Sequence, residues 1–173
     1  MRTTHIPNML SVIGIAFGVT AIVLFMFPST VAFGVLCVLI SAIIDRYDGR
    51  IARRTGGVTA LGKKLDALND FIAFGLAPIT LYLVSMLHPG WLIATGVSTV
   101  YVGATAWRLR RFLIGQSSTT AYGLPSTLAG VILVVILYIS LRVEHPNTAA
   151  WFSGLSMVLL AGLMVSRIPI PKK

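Results

Sequence analysis

Acid is scarce in this sequence. Asp and Glu together number five in 173 residues, and charged residues of both signs make up only 11%. A soluble domain carries roughly a quarter of its residues charged, so too little polar chain remains here to clothe one. Cysteine is nearly absent as well: Cys37 stands alone inside an apolar run, which excludes an intramolecular disulfide and leaves a packing role. The three histidines, His5, His88 and His145, lie far in sequence from the acids and fit loops or interfaces better than ligand sets. No internal repeat, low-complexity stretch or composition break divides the chain, so residues 1–173 form a single expected domain.

Apolar residues fill the space: they make up 56% of the chain, with a mean hydropathy of +0.88. Crossing a bilayer takes about 20 apolar residues, and six segments approach that length: Met9–Phe27, Thr30–Ile44, Phe71–Leu87, Trp91–Trp107, Thr127–Leu141 and Ala149–Val165. Turn chemistry separates them at Pro28-Ser29, His88-Pro89-Gly90, Gly123-Leu124-Pro125 and His145-Pro146-Asn147. Between the second and third segments, Asp45–Asp70 is rich in helix formers. Both helices should run on past the hydrocarbon, turning at Gly56-Gly57. The first segment follows one charge, Arg2, with no small-residue cleavage site after it, so a retained helix is expected.

The net charge of +9 raises the question of nucleic acid, which its distribution answers. Six crossings place 13 of the 14 basic residues on one side and leave Arg142 alone on the other. By the positive-inside rule both termini then face the cytosol. The expected fold is an all-α integral membrane protein of six transmembrane helices, with a basic face toward anionic lipid and no nucleic-acid partner. Trp91, Trp107 and Trp151 fall at segment ends, where interfacial anchors belong.

Four of the five acids crowd into 26 positions: Asp45, Asp48, Asp66 and Asp70. Spacings of three and four put each pair on one helix face, and two consecutive antiparallel helices can turn those faces together. Four carboxylates in one cavity repel one another unless cations neutralise them, and hard divalent ions suit an all-oxygen site. Structural salt bridges to the neighbouring arginines are the plainer alternative. Against it, Gly49 follows Asp48 and Gly62 precedes Asp66 by one turn, baring backbone where helices rarely spare a side chain, and Arg53 adds a planar guanidinium. Carboxylates with metal, bare backbone and an arginine suit a diphosphate. A cation transporter is a second class, but its acids would lie near the midplane in broken helices, whereas these lie beside arginines.

The run Asp45-Arg-Tyr-Asp48-Gly49-Arg-Ile-Ala52-Arg53, followed by Gly62, Asp66 and Asp70, resembles the signature D-x-x-D-G-x-x-A-R-x8-G-x3-D-x3-D of the CDP-alcohol phosphotransferase family at all eight specified positions. The resemblance implies six helices, a homodimer and two divalent ions, Mg or Mn with Ca admissible. Asp45 and Asp66 would bridge the ions, Asp48 would hold one, and Asp70 would act as general base while touching the second. Gly49, Arg53, Thr59 and Gly62 match positions that contact the CDP-lipid, as do Asn8 and Ser11 at the start of the first helix. The active site would lie at the cytosolic face of the cell membrane.

Further short segments resemble the serine-transferring branch: Phe74-Gly75-Leu76-Ala77-Pro78, Arg108-Leu109-Arg110-Arg111-Phe112, Gly123-Leu124-Pro125 and Met164-Val165-Ser166-Arg167-Ile168. Four positions depart from its usual pattern: Leu113 where the branch carries Asn, Asn69 and Ala73 where it carries other, small residues, and Ala67 where it carries Ser. The implied substrates are L-serine and CDP-diacylglycerol or an archaeal CDP-lipid. Arg108 and Arg111 have two readings, as cytosolic anchors that need no partner or as acceptor-binding residues whose guanidinium meets the serine carboxylate or the lipid phosphate. Glycerol phosphate, inositol phosphate or another alcohol would keep the reaction and change the acceptor.

Overall fold

A computed structural model describes residues 5–55, 59–85, 91–114, 120–166 and 169–171, with side chains over 8–51, 59–85, 91–114, 123–145 and 147–166. Among the described residues the protein is a bundle of six helices. We number them α1 (His5–Phe25), α2 (Val31–Thr55), α3 (Ala60–Ser85), α4 (Trp91–Ile114), α5 (Ser126–Ser140) and α6 (Pro146–Val165). A short antiparallel pairing of Thr120–Tyr122 with Pro169–Pro171 is the one strand pair among the described residues.

Four stretches are long and apolar enough to cross a membrane: Asn8–Phe25, Pro28–Ile51, Ala60–Ser85 and Asn147–Val165. Ser126–Ser140 is apolar but shorter. α4 has the length, diluted by Thr95, Ser98, Thr99 and Thr105 and by arginines in its last turns. α2 shows why such a helix belongs in lipid. Val31, Val35 and Val38 are buried at helical spacing, while Leu36, Ile40 and Ile43 on other faces are exposed and just as apolar. Trp91, Trp107 and Trp151 are likewise exposed at or near helix ends.

The expected turn at Pro28-Ser29 is a 3-10 turn over Pro28–Thr30, and Pro146 opens α6 after His145. The turns placed at Gly56-Gly57 and His88-Pro89-Gly90 lie outside the described residues. α2 and α3 both continue well past their apolar segments, as their composition predicts.

Small residues set the helix spacing, as membrane packing favours. A Cβ on Gly130 would sit 2.6 Å from Phe74 Cα, so α5 touches the backbone of α3. One on Gly18 would meet Ala73, and one on Gly14 would meet the side chain of Asn69, locking α1 to α3. The core lies where these helices converge, around Phe25, Val38, Phe74, Leu81, Tyr101, Leu133 and Met157. Gly123 has φ +77 and fits against the Met164, Ser166 and Leu163 carbonyls. With Leu124 N–H bonded to Leu163 O at 3.0 Å, it ties the entry of α5 to the end of α6.

Candidate active site

α2 carries Asp45 and Asp48 and α3 carries Asp66 and Asp70, and the two helices bring all four acids into electrostatic contact. The Asp45 and Asp66 carboxyls come within hydrogen-bonding reach of each other, and the Asn69 amide reaches Asp45 as well. Asp48 is buried and takes a very short hydrogen bond from Ser11 on α1. Asn69 is buried too, and Ser41 Oγ lies 3.2 Å from both its Oδ1 and the Gly14 carbonyl. Asn69, one of the departures from the branch pattern, thus fastens three helices beside the acids.

α3 is not a uniform helix. From Asp70 to Leu76 it widens into a π turn, closed by the Ala77 N–H reaching back to Ile72 O. Such segments cost hydrogen-bond geometry and mark functional sites. The displaced Phe74 carbonyl takes the Tyr101 hydroxyl at 3.0 Å, and Gly75 and Gly130 let α4 and α5 close over the widened turn. Asp70 sits at its first residue, so the even four-residue spacing from Asp66 ends in an altered helical register.

Two residues missed by the sequence argument stand against Asp70. Ser126 Oγ donates to Asp70 Oδ2 at 2.5 Å. Thr127 Oγ1 lies 3.3 Å from Asp70 Oδ1 and 3.1 Å from Asp45 Oδ2, linking the two acids. Both hydroxyls open α5 directly after Pro125, at the positive end of that helix. Arg108 on α4 donates a very short hydrogen bond to Ser126 Oγ, and its charge faces Asp70 and Asp45. A hydroxyl that accepts from a guanidinium must aim its own hydrogen elsewhere, so Ser126 is committed as a donor to Asp70. The signal available in the sequence was a hydroxyl pair following Gly123-Leu124-Pro125, in a turn on the basic side.

The nucleotide-contacting candidates separate into groups. Asn8, Thr59 and Gly62 meet: a Cβ on Gly62 would lie 3.1 Å from both Asn8 Oδ1 and Thr59 Oγ1. Thr59 caps α3 by accepting the Gly62 N–H at 2.9 Å. Gly49 is half-buried on α2, one residue beyond Asp48. Arg53 continues α2, and its side chain lies outside the described residues. Arg108 is partly buried beside Asp70, while Arg111, one turn on, is exposed. The two arginines named together by the sequence therefore occupy different surroundings.

A family model described as CDP-alcohol phosphatidyltransferase matches residues 4–166. The chain belongs to that family.

Among similar proteins, a CDP-diacylglycerol–serine O-phosphatidyltransferase of Helicobacter pylori is 33% identical, over 95% of this chain and 71% of its own length. One of that name from Bacillus subtilis is 29% identical, over 96% and 90%. An archaetidylserine synthase of Methanothermobacter thermautotrophicus is 30% identical, over 96% and 70%. As a CDP-alcohol phosphatidyltransferase, the chain is an enzyme of phospholipid synthesis.

The family is generally dependent on a divalent metal, and the donor set here fits one. Asp45 and Asp66 hold two carboxyls within bonding reach, an arrangement that needs a proton or a cation between them. All donors are oxygen, as Mg²⁺ and Mn²⁺ prefer. Among the described residues no three acids close on one point as a finished coordination shell. The contacts run instead as a chain of pairs, Asp45 with Asp66 and, through Thr127, Asp45 with Asp70.

Proposed function

We propose that the enzyme transfers the phosphatidyl group of a CDP-lipid to L-serine, releasing CMP and forming a phosphatidylserine. The observation that carries this is the Asp70 carboxylate, held by Ser126 and Thr127 on α5 and faced by Arg108 on α4. Relatives with diacyl and archaeal lipid names share serine in both, which supports serine as the constant substrate and leaves the lipid open between CDP-diacylglycerol and its archaeal counterpart.

Asn8, Ser11, Gly49, Arg53, Thr59 and Gly62 bind the CDP-lipid. Asp45, Asp48, Asp66 and Asp70 would hold two divalent ions, Asp45 and Asp66 serving as ligands to both, Asp48 to one, and Asp70 acting chiefly as the base. When bound, those ions supply positive charge to the diphosphate and to the departing CMP. Asp70 takes the proton from the serine hydroxyl. The serine oxygen then bonds to the lipid-linked phosphorus in line with the phosphoanhydride oxygen, whose bond breaks as CMP leaves. Arg108 meets the serine carboxylate. Its Nε is buried without a partner among the described residues, a donor that an anionic ligand would satisfy.

A screen of acceptors with purified protein, reading CMP release, tests this assignment. L-Serine with CDP-diacylglycerol is expected to support turnover, and Arg108→Ala to raise the serine KM at least ~10-fold while changing the CDP-lipid KM little. That step corresponds to ~1.4 kcal/mol, within what one charge-assisted contact contributes. Turnover with glycerol 3-phosphate or inositol phosphate and none with serine overturns the acceptor and keeps the reaction class.

The same proposal includes six crossings, both termini in the cytosol, the active site at the cytosolic face of the cell membrane, and a homodimer. In a Cys37→Ser background, Arg50→Cys should resist an impermeant thiol reagent in intact cells and react after permeabilisation. Glu144→Cys should react in intact cells. The reverse pattern inverts the map.

A further inference from the structure

The ends of α1, α2, α3 and α5 remote from the aspartates border a half-open cavity of about 420 Å³. On α2, α3 and α5 it lies roughly 13 residues from the site, from Asp45 to Ala32, from Asp70 to Leu81–Ser85, and from Thr127 to Tyr138–Arg142. At 1.5 Å per residue the separation is about 20 Å, so this is a second place and no extension of the first.

Its chemistry is divided. Phe25, Val31 and Leu81 are buried and form an apolar floor. Above them stand Arg142, the Tyr138 hydroxyl and Ser29. Arg142 is the one basic residue that the six-helix topology puts away from the basic face. Its guanidinium lies over the Tyr138 ring at 5.4 Å from the centroid and donates to the Tyr138 hydroxyl at 3.1 Å. Among the described residues Arg142 meets Tyr138 and no carboxylate; Glu144, two residues on, is exposed. Stacking on the ring and one bond use a fraction of the five guanidinium donors, and those remaining suit the planar, bidentate recognition of a phosphate.

A guanidinium above an apolar recess matches an amphiphile with an anionic head and a hydrocarbon tail. We propose that this cavity binds one anionic phospholipid, its phosphate on Arg142 and an acyl segment against Phe25, Val31 and Leu81. Inorganic phosphate satisfies the rim and leaves the floor empty; a detergent chain does the reverse. Charge and apolar recess together commit the occupant to a phospholipid.

The experiment titrates the purified protein in an uncharged detergent with phosphatidylglycerol, phosphatidylcholine or inorganic phosphate, and counts bound lipid by native mass spectrometry. The cytosolic basic residues contribute a background that all variants share, so the difference between variants decides. The parent should bind one more phosphatidylglycerol than Arg142→Gln, or bind it at least ~10-fold more tightly, with CMP release equal in both. Val84→Trp, which fills the recess and keeps the arginine, should lose the same lipid. Phosphatidylcholine should compete weakly and inorganic phosphate should not compete. Identical phosphatidylglycerol titrations for parent and Arg142→Gln overturn the site. Full competition by inorganic phosphate overturns the lipid and leaves an ion site only.

Discussion

Asp66→Asn is expected to lower CMP release at least ~10³-fold, and Asp45→Asn to do the same. The two carboxyls stand within bonding reach of each other, so in the proposed mechanism both address the same cations. Replacing either by an amide keeps the volume and a carbonyl oxygen while removing one negative charge. Metal retention suffers at both positions, and with it the stabilisation of the diphosphate charge. A 10³-fold loss corresponds to ~4 kcal/mol in the barrier, in line with the several kcal/mol that metal charge supplies to phosphoryl chemistry. Direct measurement of Mn²⁺ binding separates this from misfolding: affinity should fall in both variants while helical content and elution volume stay those of the parent. Removing divalent ions from the parent with a chelator should reproduce the loss, and returning them should reverse it. Full turnover by either variant at ordinary metal concentration overturns the assignment of Asp45 and Asp66 as shared ligands.

Much of this architecture could be read from the residues because the controlling signals are local. Apolar run lengths and proline-containing turns locate the helices. The 45–48 and 66–70 spacings put each pair of acids on one helix face, the two faces meeting where α2 touches the Asp70–Leu76 turn of α3. What the sequence concealed depends on contacts between distant segments. The π turn at Asp70–Leu76 has no composition of its own; it is held by Tyr101 and Gly130, from two other helices. Ser126 and Thr127 lie 56 and 57 positions beyond Asp70, in types that normally cap or pack, so no spacing rule links them to it. Arg108 and Arg111 looked equivalent for a related reason. Three residues along a helix turn the side chain by most of a turn, and only the packing of α4 decides which one meets Ser126.

Asp70→Asn should separate binding from transfer. If Asp70 is the base, its substitution leaves the nucleotide site intact. CDP-lipid affinity should then stay within ~3-fold of the parent while CMP release with serine falls ~10²- to 10³-fold, the usual range for losing a general base. Ser126 sharpens the test because it touches Asp70 without reaching the Asp45–Asp66 pair. Its hydroxyl, committed by Arg108, holds one Asp70 oxygen and fixes the plane of the carboxylate. Ser126→Ala removes that hold and should lower kcat about 10-fold with the CDP-lipid KM unchanged; Ser126→Thr, which restores a hydroxyl, should recover most of it. A purely structural role for Ser126 would lower stability in the alanine variant and leave kcat per folded molecule alone. Suppose instead that Asp70→Asn loses CDP-lipid affinity as severely as Asp45→Asn. Asp70 is then chiefly a metal ligand, and the serine proton must leave by another group. The hydroxyl that links Asp70 to Asp45 is Thr127; it would relay the proton to Asp45, and Thr127→Val would be the variant to lose transfer while keeping the nucleotide.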